Sequence, residues 1–173
     1  MGKPIDTRRL TRLAMLAALA LVLFLVETAL PRPLPWMRLG LSNSAVLAAL
    51  LLFGAGPALV VACTKLLVGG LLSGSLGGPA FVIGSIAGIT SLVAMALFWR
   101  LAPRLFSPVG LSVLGAVVHQ CVQLMVAATY LGHAGLYTLL PMFLVSGVLT
   151  GTLTGFAAYF ALQRLAVSSA SIA

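Results

Sequence analysis

The stretch Leu13–Leu25 holds no polar side chain, and further apolar runs follow it along the chain. A spanning helix needs about 20 mainly apolar residues to cross roughly 30 Å of hydrocarbon. The chain divides into pieces near that length, at about 10–30, 41–54, 57–73, 79–101, 109–131 and 136–163. Barrel strands would instead alternate apolar and polar residues over about ten positions. The expected fold is therefore an all-α integral membrane bundle of about six helices, forming a single domain over residues 1–173. A short basic N-terminus covers 1–9 and a short tail covers 165–173. Composition agrees: 61% of the 173 residues are hydrophobic and 7% charged, against about 45–50% and 25% in an ordinary soluble domain.

Two stretches leave alternatives open. Residues 41–73 are interrupted only by Phe53-Gly-Ala-Gly-Pro57, which suits either two spans or one broken, re-entrant element. The basic residues before Leu13 resemble a secretory signal. However, the run continues to Leu30, shows no small-residue cleavage site and is followed by further spans, so a permanent helix is expected.

Short-loop lysines and arginines set orientation. Lys3, Arg8, Arg9 and Arg12 precede the first helix, Arg100 and Arg104 follow the fourth, and Arg164 follows the sixth. These ends should share the cytoplasmic side of a cell membrane, with both termini inside. The net charge of +8 is then mainly a topology signal, and the pI of 10.9 carries no argument for nucleic acid.

The acidic residues restrict the chemistry. Asp6 and Glu27 are the two carboxylates of the chain, whereas magnesium-dependent diphosphate chemistry normally uses several. No GxxxxGK[ST] nucleotide loop is present, and Cys63 and Cys121 stand alone without metal-site spacing. Catalysis by this chain alone is not expected, nor is a cofactor or metal. An ATP-driven step would need a separate subunit.

Polar side chains at membrane depth are costly and therefore mark candidate sites. Helix one places Glu27 near its outer end, and helix two places Asn43 in its first turn. Lys65 falls within helix three. His119, Gln120 and Gln123 lie in helix five, with His119 and Gln123 sharing a face at a spacing of four. With Arg38 from the first loop, these groups can line one pocket open to the outside. The expected ligand contacts are Glu27, Arg38, Asn43, Lys65, His119 and Gln123, with Glu27 as a partner for Lys65. The positive charge favours an anionic or phosphorylated small molecule. Arg32 and Arg38 suit lipid phosphate equally well, and Trp36 suits an interfacial belt. In Ala14-Met-Leu-Ala-Ala18, Ala14 and Ala18 share a face where another helix can approach. Gly147, Gly151 and Gly155 make a smooth packing ridge on helix six.

The basic N-terminus, the Ala-x-x-x-Ala first helix and the Pro/Trp/Arg loop running into Arg38-Leu-Gly-Leu-Ser-Asn43 resemble a known family. It is called heptaprenyl diphosphate synthase component I, or the Gx transporter family, and is similar to the S components of energy-coupling factor (ECF) transporters. The resemblance covers nearly the whole chain; Leu39-Gly-Leu-Ser-Asn43 and the His119-to-Gln123 segment are its most specific parts. That segment commonly reads His-Asn-x-x-Gln in the family, so Gln120 is a departure, which weakens the case for position 120 as a contact. The resemblance implies a first-loop region that caps an outer pocket. It also implies that Ala14 and Ala18 dock a transmembrane coupling subunit driven by two ATPase subunits. The competing implication is a membrane subunit or accessory of a quinone- or flavin-linked electron-transfer system, or of a polyprenyl pathway.

Overall fold

The computed structural model describes residues 7–31 and 40–170, with side chains through residue 163. Arg32, Trp36 and Arg38 lie outside the described residues, as do Lys3 and Asp6. The described elements are α1 (Thr7–Ala29), α2 (Asn43–Phe53), α3 (Ala55–Leu72), α4 (Pro79–Leu101), α5 (Pro108–Leu131), a 3-10 helix (Ala134–Leu139) and α6 (Leu140–Ala170). Five of these segments are long and apolar enough to cross a membrane. The protein is a multi-pass, all-α membrane bundle.

Local chemistry places the helix ends. Pro79 and Pro108 open α4 and α5, where a missing N–H costs nothing and the ring presets φ. Ser107 caps α5 by accepting from Gly110 N at 3.0 Å. Gly132, at φ 63°, ends the same helix in the left-handed region, which glycine enters without a Cβ clash.

The structure decides between the two arrangements open to residues 41–73. The second apolar run is not a full span, because α2 has 11 residues and so extends only about 16 Å. It is also not continuous with α3. Gly54, at φ 89°, folds the two helices into a hairpin whose residues 43 and 65, equally far from the bend, meet again through a hydrogen bond. The six consecutive residues Ala45–Leu50 are all buried, the pattern of a helix enclosed on every side. α2 touches each of the other five α-helices. The bundle is thus five long helices around one short central one.

The glycine ridge on α6 makes its closest approach to α5. A Cβ at Gly151 would lie 2.7 Å from Val113 Cα, one at Gly155 2.8 Å from Val109 Cα, and one at Gly147 3.3 Å from the Ala116 carbonyl oxygen. These distances leave no room for a side chain, so the glycines set the separation of the two backbones. By contrast, Leu19, Val22, Leu97, Val145, Leu149 and Leu153 are exposed, as suits surface turned toward lipid.

Candidate functional site

The site forms where α1 ends, α2 begins and α3 passes beside them. Glu27 is 4% exposed, Ser42 3% and Lys65 5%. Glu27 Oε1 accepts from the backbone N–H of Leu41. Its Oε2 accepts from Ser42 Oγ at 3.0 Å and lies 3.5 Å from Ser42 N. The carboxylate therefore sits against the first N–H groups leading into α2, where helix polarity favours negative charge. Lys65 Nζ donates to Asn43 Oδ1 at 2.6 Å and to Ser42 Oγ at 3.3 Å. Ser42 stands between the expected partners, taking a hydrogen bond from Lys65 and giving one to Glu27. A buried charge is tolerated only where such partners replace lost water.

Two adjoining cavities meet at this cluster. The outer one is lined by Phe24, Glu27, Ser42, Lys65 and two glycines of α4, Gly84 and Gly88. The inner one lies toward α5 and α6 and is lined by Ser91, Ser112, Gln120, Thr150 and Thr154. Gly40, Asn43 and His119 line both and form the boundary between them. Each has a volume of about 20 Å3, which is room for one water. A metabolite therefore requires the boundary side chains or the helices carrying them to move apart.

The structure brings Glu27, Asn43, Lys65 and His119 together. Gln123 is 0% exposed, one turn along α5 from His119, and lines neither cavity. Arg38 lies outside the described residues. Ala14 and Ala18 are both exposed on α1. Sequence reasoning missed Ser42, the link between the two charges, and the inner hydroxyls Ser91, Ser112, Thr150 and Thr154. Serine and threonine satisfy themselves on their own helix so often that their spacing gives no warning of a shared cavity. Gln120, discounted above, is 2% exposed and forms part of the inner wall.

The heptaprenyl diphosphate synthase component I family matches residues 16–161. The chain belongs to this family. The match takes in every described cavity residue and Ala18, begins after Ala14, and spans all six α-helices at least in part. No curated protein and no solved structure matches the chain.

Proposed function

We propose that this family member is the substrate-binding membrane component of an ECF-type uptake transporter, taking a small anionic or phosphorylated molecule. The observation that carries the reading is the Glu27–Ser42–Lys65–Asn43 cluster, buried among membrane helices and opening on cavities that His119 also lines. Ionisable groups at such depth are expensive and most readily explained by a ligand path. The site lies toward the ends of the helices opposite Arg8, Arg9 and Arg12, which is the outer side if the basic ends are cytoplasmic. Alternating access needs a ligand that favours one state and an energy source that favours the other. This chain has no nucleotide loop, so the energy comes from a coupling subunit and its ATPases. Ala14 and Ala18, exposed on α1, are the docking positions, and catalysis is no part of the role.

The test is affinity capture of the tagged protein from its native membrane, with bound subunits and small molecules identified by native mass spectrometry. Wild type should carry a membrane coupling subunit, ATPases and a water-soluble metabolite. Ala14→Phe together with Ala18→Phe should abolish subunit capture and leave the metabolite in place. Unchanged capture by this double variant would refute the docking assignment. The family description favours a second reading, an accessory to isoprenoid or quinone metabolism. Copurifying isoprenoid lipid or a flavoprotein, with no ATPase, would replace the transporter reading with that one.

A further inference from the structure

The inner cavity differs from the outer one in what it offers a ligand, and the difference follows from where each hydroxyl proton goes. A serine or threonine hydroxyl has one proton and two lone pairs. Ser91 Oγ donates to the Gly115 carbonyl at 2.7 Å, Thr150 Oγ1 to the Ser146 carbonyl at 2.8 Å and Thr154 Oγ1 to the Thr150 carbonyl at 2.8 Å. With the Thr154 proton committed, Ser112 Oγ is the donor in the 2.9 Å Ser112–Thr154 pair. All four hydroxyls lining the cavity therefore retain lone pairs and no proton.

The same reasoning orients Gln120. Ser146 Oγ donates to the Phe143 carbonyl at 2.9 Å, so toward Gln120 it can only accept. The 3.2 Å contact must then come from Gln120 Nε2. Gln120 Oε1 remains a buried acceptor with no hydrogen-bond partner among the described residues, on a side chain that lines the cavity. Leaving such a group unmatched costs free energy that a donor would recover.

The outer cavity has the opposite character. Lys65 Nζ is a donor, and Asn43 directs its Oδ1 to Lys65, which leaves the Asn43 Nδ2 protons for the boundary. The Glu27 oxygens, the strong acceptors of that region, are engaged by Leu41 and Ser42.

The geometry points to a two-ended ligand site, in which the inner cavity is a subsite for an ammonium or amine N–H group while the ligand's acidic group stays beside Lys65 and Asn43. This rests on the ligand-capture reading above and narrows its substrate class to small molecules carrying both an acid and an N–H donor. An ammonium group has three donors and no acceptor, which matches the lone pairs of the four hydroxyls and of Gln120 Oε1. Water or an alcohol would bring lone pairs of its own to serine and threonine hydroxyls that have no proton to give them.

The cavity is the size of an ammonium ion, so that ion is a direct probe. Thermal unfolding of the full chain in lipid nanodiscs should be compared in ammonium chloride and tetramethylammonium chloride at equal ionic strength, since the latter has no N–H and does not fit. Wild type should unfold at a higher temperature in ammonium, by on the order of 2–4 °C. Gln120→Leu, Ser91→Ala and Thr154→Val should each lose at least half of that difference. Thr152→Val, which removes a hydroxyl bonded to the Val148 carbonyl and absent from the cavity lining, should keep it. Thr154→Val is nearly isosteric and keeps the test decisive if Gln120→Leu does not fold. Equal unfolding temperatures for wild type in the two salts would overturn the subsite, as would an ammonium effect that all three cavity variants retain. Loss of coupling-subunit capture with the ammonium effect intact would overturn the transporter reading alone.

Discussion

The two cavities share Gly40, Asn43 and His119 as a common wall yet are held together by different physics. The outer one depends on charge: a buried carboxylate and a buried ammonium, joined through Ser42. The inner one depends on close packing and neutral hydroxyls, with the glycine ridge of α6 drawing two backbones together around Ser112 and Thr154. A charged cluster fails abruptly when one member is removed, because the remaining charge is left without compensation. A hydroxyl network in a membrane bundle fails gradually, each bond there being worth about 0.6 kcal/mol on average.

The largest effect should therefore come from Glu27→Leu. It removes the acceptor for Leu41 N and Ser42 Oγ and leaves Lys65 without its nearby carboxylate, so a loss of about 3–5 kcal/mol is expected. Denaturant unfolding in detergent would measure it, and Glu27→Gln, which retains an acceptor, should recover part of the loss. A Glu27→Leu protein as stable as wild type would erase the distinction between the two regions.

Gly151→Leu should come next, at about 1–3 kcal/mol, because even its Cβ would meet Val113 Cα at 2.7 Å. The same measurement would show it, together with loss of the ammonium response as the α5–α6 seam opens.

The smallest stability change should come from Gly88→Leu. Gly88 lines the outer cavity, and a Cβ there meets nothing within 4 Å, so stability should stay within about 0.5 kcal/mol of wild type. The added side chain would occupy space needed by the acidic end of the ligand, so metabolite retained through purification should fall sharply. Retention at the wild-type level would place the acidic group elsewhere.

Legibility in the sequence followed the length scale of each signal. The long helices were readable because apolar runs near 20 residues have few other uses. Their ends were marked by Pro79, Pro108 and Gly132, whose backbone preferences act locally. Whether residues 41–73 make two spans or one broken element stayed open in the sequence because 11 residues of α2 and 18 of α3 form one apolar stretch, and the depth a short helix reaches depends on what surrounds it. Glu27, Asn43 and Lys65 stood out as polar groups in apolar helices. Gln123 stood out for the same reason, yet it lines neither cavity, because sharing a helix face with His119 does not determine what that face meets at each level.

The sequence by itself determined that this chain is a membrane helical bundle carrying a few costly polar groups, because hydrocarbon solvation and backbone hydrogen bonding act on each segment independently of the others. The tertiary structure alone decided that Ser42 links Glu27 to Lys65, that α2 lies at the centre and that Gln120 shares a cavity with four hydroxyls whose protons are already committed. Those outcomes depend on which helix faces meet, and on where each hydroxyl finds an acceptor once they have met.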